Sequence, residues 1–179
     1  MTTLTQHNWS IDPAHSEIAF KVRHLVVTTL TGKFDTFDAA LTSSKDDFSD
    51  AEIHFSANID SINTGNADRD AHLKSDDFFN AASFPKLTFT STSFNKLSDN
   101  NYKLIGNLTI RETTKTIELD VEYGGTMVDP WGNTKAGFEL NGKIKRKEFG
   151  LKWDAVTEAG GAVVSDEVKL HLNIQLVKQ

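Results

Sequence analysis

Apolar and polar residues alternate with a period of two along most of the chain, the spacing that puts successive side chains on opposite faces of a β-strand. The last segment is the cleanest case: Val168, Leu170, Leu172, Ile174 and Leu176 alternate with Lys169, His171, Asn173, Gln175 and Val177. The same period picks out Ile18, Phe20 and Val22, then residues 33–42 with Phe37, Ala39 and Leu41, then Ile53, Phe55, Ala57 and Ile59. It continues over 86–94 with Leu87 and Phe89, 102–110 with Leu104, Leu108 and Ile110, 115–123 with Ile117, Leu119, Val121 and Tyr123, and 136–146 with Phe138, Leu140 and Ile144. Eight strands are thereby predicted. Turn-forming residues separate them, among them Thr31-Gly32, the polar run 98–101, Gly124-Gly125, the stretch 129–133 and Gly160-Gly161. Such short connections favour antiparallel neighbours.

One stretch departs from the rhythm. Residues 67–79 read as a short helix between the third and fourth strands, with Leu73 and Asp76 on adjoining turns and Asp68 near the positive end of the helix dipole. No repeat, low-complexity tract or linker divides the chain, so residues 1–179 read as one domain. The fold class is all-β. Periodicity leaves a two-sheet sandwich and a closed barrel both open, although closure is the better way to remove exposed edges. A closed eight-stranded barrel has an interior suited to packed side chains or to one elongated ligand.

Composition narrows the function classes. Hydrophobic residues make up 38% and charged residues 25%, a balance suited to a soluble globular domain. The formal charge of -6 repels phosphate backbones, and the longest basic cluster is Lys143, Lys145, Arg146 and Lys147, which argues against nucleic acid as a partner. With no cysteine, disulfides, thiolate metal sites and cysteine nucleophiles are excluded. Residues 1–8 lack the basic and apolar regions of a signal peptide, and no stretch approaches the length of a transmembrane helix, so the chain as written is expected to be cytoplasmic, or periplasmic if a leader has been removed, without stable membrane insertion.

A series of short motifs then runs through the chain in order. Trp9-Ser-Ile-Asp12-Pro13-Ala-His15-Ser16 leads into the first strand, followed by His24, Gly32 and Phe34. Next come Ser61 to Gly65, Arg69-Asp70-Ala-His72-Leu73, Ser75 to Phe79, Phe84-Pro85, Phe89 and Ser91-Thr92. Gly106 to Ile110, Gly137-Phe138, Arg146 and Phe149-Gly150 complete it. In these motifs the chain resembles the YceI family from about residue 9 to its last strand. It departs from the family pattern at Glu112, where a glycine is common, and at Glu148, where aspartate is common. The resemblance implies an eight-stranded antiparallel lipocalin-like β-barrel that encloses a polyisoprenoid, an isoprenoid quinone or a related long-chain amphiphile, requires no cofactor, and forms a homodimer.

On this reading the barrel lining is Ile18, Phe20, Val22, Ile53, Phe55, Leu87, Phe89, Leu104, Leu108, Leu119, Val121, Phe138, Leu140, Leu170, Leu172 and Ile174. Each methylene buried there contributes ~0.8 kcal/mol, so tail length alone can build affinity. Arg69, Asp70 and His72 are candidates for holding a polar headgroup at the mouth, or for capping and pinning the helix. Asp12, His15 and Ser16 hold the residue types of a catalytic triad, but three near neighbours on extended chain point to opposite faces. His72 and Asp76 share a metal-ligand spacing without a third ligand. His54 and His171 fall on polar faces, and His7 on a loose terminus. Trp9 and Trp153 are expected to plug barrel ends, and Trp131 sits on a turn. Gly32, Gly106, Gly142 and Gly150 are expected at bends or close contacts. Three functions follow for testing: a non-catalytic lipid carrier; an enzyme on the same amphiphile using His72 with Asp70, or His15; and an interaction module with a filled interior.

Overall fold

Valine, isoleucine, threonine and aromatic residues suit a pleated, half-buried surface, and the alternating segments rich in them form one continuous antiparallel sheet. The computed structural model describes residues 5–25, 27–154 and 163–179, so the turn expected at Gly160-Gly161 lies outside the described residues. Its strands are β1 (His7–Ile11), β2 (Glu17–His24), β3 (Thr28–Phe34), β4 (Phe37–Ser43), β5 (Glu52–Asn58), β6 (Ile62–Asn63), β7 (Lys86–Lys96), β8 (Asn101–Ile110), β9 (Thr113–Val128), β10 (Thr134–Lys145) and β11 (Val164–Lys178). One α-helix, α1 (Ala67–Lys74), interrupts them among the described residues.

In the order β1-β4-β5-β7-β8-β9-β10-β11 each strand bonds to the next, and β11 returns to β1 through the pairs Trp9–Lys178 and Ile11–Leu176. The sheet is therefore a closed barrel of eight. The remaining segments are continuations: β2 extends β1 past a 3-10 turn at Pro13–His15, β3 runs into β4, and β6 extends β5 past a 3-10 turn at Ile59–Ser61. Ser10 pairs with Ala40 and Ile18 with Phe34, so between these pairs seven residues on the first broken strand face five on the second. Phe37 pairs with Ala57 and Phe34 with Ile62, so four residues face two at the next break. Extra residues on one partner bend a strand sharply, as a bulge does, and all three breaks fall side by side.

The consequence is a flared end. β6 bonds only to β3, and the segment from α1 to residue 85 occupies the chain between β6 and β7. Arg111, in the two-residue turn between β8 and β9, ties that segment down by donating from Nη1 to the Asp76 and Phe78 carbonyls and from Nη2 to the Asp76 carboxylate at 3.0 Å. Arg111 takes the positive φ of this turn, 54°, so Glu112 does not need the conformational freedom of glycine.

Several local expectations are corrected, among them the turns at Thr31-Gly32 and Gly124-Gly125, which lie inside β3 and β9. The helix ends at Lys74 rather than at Phe79, because Ser75 is extended and its hydroxyl donates to the His72 carbonyl, after which the chain winds through turns to the αL residue Asn80. His7 is no loose end: it opens β1 and pairs with Ser43. Trp153 does not plug the barrel as Trp9 does; it is half-buried beside α1, with its ring 4.8 Å from that of His72.

Opposite the flared end the barrel is closed by aromatic rings. Phe48, 2% exposed, projects from the β4–β5 connection into the barrel and packs edge-on against Trp9, Tyr123 and Phe138 at 5.3, 5.6 and 5.3 Å. The connection is held in place by Asp50, which accepts from the Ser43 hydroxyl and from the Ser44 and Lys45 amides, and by Tyr102, whose hydroxyl donates to the Asp47 carbonyl.

Candidate ligand-binding cavity

Inside the barrel lies a cavity of about 410 Å³, within the range of ordinary small-molecule sites. All sixteen residues expected on the inner face line it. Several, including Phe20, Ile53, Phe55, Leu170, Leu172 and Ile174, are only half-buried although they point into the barrel, as they must where an interior is not filled by side chains. Leu30, Phe34, Leu41, Leu73, Phe78, Phe79, Phe94 and Trp153 add to the lining. The polar contributors are His24, Thr64, Arg69, His72 and Arg146. They belong to the flared end: His24 pairs with Val164, and Arg146 donates to the Val164 and Ser165 carbonyls and packs over Phe78.

Three inward-facing glycines help to keep the space open. Gly32 pairs with Phe20, and a Cβ on Gly32 would stand 2.4 Å from the Phe20 ring. A Cβ on Gly106 would stand 2.4 Å from the Phe89 ring, and one on Gly142 2.3 Å from the Leu119 side chain. Each large side chain thus lies flat over a glycine on the neighbouring strand instead of projecting into the lumen.

The headgroup candidates divide. Arg69 and His72 line the cavity, whereas Asp70 does not. Asp70 accepts from the amide and hydroxyl of Thr64, and Thr64 in turn receives Arg69 Nε on its hydroxyl at 2.8 Å and Nη2 on its carbonyl at 2.6 Å. Arg69 Nη1 has no protein partner among the described residues. His72 Nε2 lies 2.8 Å from Asp77 Oδ2, with Phe78 and Trp153 edge-on to its ring. Its expected neighbour Asp76 is taken by Arg111 instead. Asn66 caps α1 by accepting from the Arg69 amide, so Arg69 both starts the helix and faces the cavity.

Arg146 is 3% exposed and donates to four backbone carbonyls: Nε to Ser165 at 2.8 Å, Nη1 to Leu151 and Trp153 at 2.7 Å each, and Nη2 to Val164 at 3.1 Å. Burial lowers its pKa from the ordinary arginine value, opposed by the carboxylates of Asp154 and Asp166. A guanidinium satisfied this way stays charged and pins the wall that carries Trp153.

The triad residues serve the strand break. His15 Nδ1 lies 2.9 Å from Asp12 Oδ2, and this hydrogen bond holds the Asp12 carboxyl below its usual range. Ser16 Oγ engages the backbone of Gln175 rather than His15, and none of the three lines the cavity. Among the described residues no three His, Asp or Glu side chains converge as a metal site.

A family model described as YceI-like domain matches residues 9–176. The chain belongs to the YceI-like family. Protein YceI of Salmonella newport is 39% identical over 165 residues, covering 92% of this chain and 83% of that one. The solved YCEI protein of Campylobacter jejuni is 31% identical with a TM-score of 0.73, covering 100% of this YceI-like chain and 99% of its own. A polyisoprenoid binding domain from Saccharophagus degradans is 16% identical with a TM-score of 0.68, covering 96% and 98%, and shares the fold.

Proposed function

We propose that this YceI-like protein is a non-catalytic carrier that encloses the apolar tail of a polyisoprenoid, an isoprenoid quinone or a similar long-chain amphiphile. The observation that carries the reading is an apolar cavity closed by aromatic rings at one end and ringed by Arg69, His72 and Arg146 at the other. That polarity matches an amphiphile entering tail first. The tail gains affinity by leaving water, and the headgroup stays beside Arg69 Nη1, the one guanidinium nitrogen of the two cavity-lining arginines that lacks a protein partner among the described residues. A carrier role also accounts for the commitment of Arg146 to backbone carbonyls and of His72 to Asp77. The polyisoprenoid binding domain of Saccharophagus degradans, with the same fold, agrees with this ligand class.

Native mass spectrometry of the protein purified from its own host, followed by organic extraction, tests the proposal. A stoichiometric lipid with a long apolar tail is the expected result. A protein that remains at apo mass and refuses added prenyl alcohols overturns it.

We also infer a homodimer. Residues 124–128 of β9 extend past the start of β8, and Met127, Val128 and Trp131 around that free edge are exposed, Trp131 at 81%. Sedimentation should show a dimer that Trp131→Ala weakens; a monomer at all concentrations refutes it.

A further inference from the structure

The closed end of the cavity is made of side chains that face the lumen on one side and a fixed aromatic plug on the other. Phe94 and Phe138 both line the cavity, at 5% and 8% exposure. Phe94 stacks on Tyr102 with centroids 4.6 Å apart and planes at 5°, and Phe138 packs on Phe48 and Tyr123 at 5.3 Å each. Tyr102, Phe48, Tyr123 and Trp9 do not line the cavity; they form the layer behind. That layer is anchored rather than merely packed, through the Tyr102 hydroxyl on the Asp47 carbonyl and through the bonds of Asp50 across residues 43–45. Interiors at native density transmit such anchoring, so the two rings cannot retreat to admit more tail.

We propose that Phe94 and Phe138 set the longest tail this protein takes, a specificity that rests on the carrier reading above. A tail shorter than the lumen gains about fourfold in affinity per added buried methylene. A tail that has reached the two rings gains nothing further, because each extra carbon stays in water at the mouth. Affinity against length therefore rises and then breaks, and the break marks the floor.

The test is a graded series of long linear primary alcohols differing by one methylene, titrated against the full chain and read by native mass spectrometry. Phe138→Leu and Phe94→Leu should move the break to longer tails. Leu41→Phe should move it to shorter ones, since Leu41 lines the cavity and pairs with Trp9 at the plug. The opposed directions keep a general loss of stability from imitating the effect. If the wild type binds the series but the break stays put in all three variants, or if affinity climbs without a break, the length assignment is wrong and the carrier reading survives. If the wild type binds no member, the carrier reading fails and takes the length assignment with it.

Discussion

At the scale of single residues, the lumen depends on where side chains are absent. Gly32 and Gly106 both sit under phenylalanine rings, yet alanine should act differently at the two. At Gly32 the closest atom to a new Cβ is the far end of the Phe20 ring, which can swing aside into the cavity. Gly32→Ala should therefore leave the fold intact and weaken prenyl alcohol binding by about 1.5 kcal/mol, or tenfold, as ligand surface is displaced. At Gly106 a Cβ also meets the Thr90 carbonyl oxygen at 2.5 Å, and backbone does not swing aside. Gly106→Ala should cost about 1–3 kcal/mol of stability, as overpacking does. Urea denaturation and ligand titration of both variants separate the two; equal stability losses would refute the distinction. Arg146 was partly legible at this scale. It continues the inward parity of Phe138, Leu140, Gly142 and Ile144 one step past the end of β10, and a charge at an inward position demands partners. Those partners are carbonyls at 151, 153, 164 and 165, which no side-chain pattern marks.

Among elements, the β4–β5 connection has the largest effect on the cavity, because it supplies the plug. Asp47 and Asp50 both hold their carboxyls below the usual range. Asp47 is lowered by the hydroxyl and amide of Ser49, against the opposing effect of burial. For Asp50, burial raises the pKa, but the Ser43 hydroxyl and the amides of Ser44 and Lys45 outweigh it. A carboxyl lowered on folding contributes stability above its unfolded value near about 4, and that stability is lost as pH falls through the folded value. The urea midpoint should therefore drop as pH is lowered from about 5 towards 3, and Asp50→Asn should lower the midpoint at neutral pH while flattening its acid slope. An unchanged slope would show that Asp50 is not linked to folding. The periodicity of β4 and β5 was readable from the chain; Phe48 was not, since a lone aromatic in a polar loop carries no period. The strand breaks were equally hidden, because two extra residues at Pro13–His15 or at Ile59–Ser61 resemble an ordinary turn.

For the whole molecule, folding and ligand binding share one interior, so they are coupled. A barrel that leaves a cavity among its largest apolar side chains forgoes packing that the ligand can restore. A prenyl alcohol at a hundred times its Kd should stabilise the protein by about 2.7 kcal/mol, and stripping the lipid should remove that increment. Thermal unfolding of delipidated and reloaded protein checks this; identical midpoints would mean that the ligand does not occupy the fold's interior.

What the sequence determined by itself was parity: eight runs of alternation, and from them the sixteen side chains that turn inward. Side-chain direction on a strand follows from covalent geometry and needs no partner. What only the tertiary structure decided was whether those side chains meet. Closure of β1 on β11, the flare at the three breaks, the Phe48 plug and the flat-lying rings over glycine are relations between distant residues. They arise from the packing of elements whose separate patterns are the same in a filled barrel and in a hollow one.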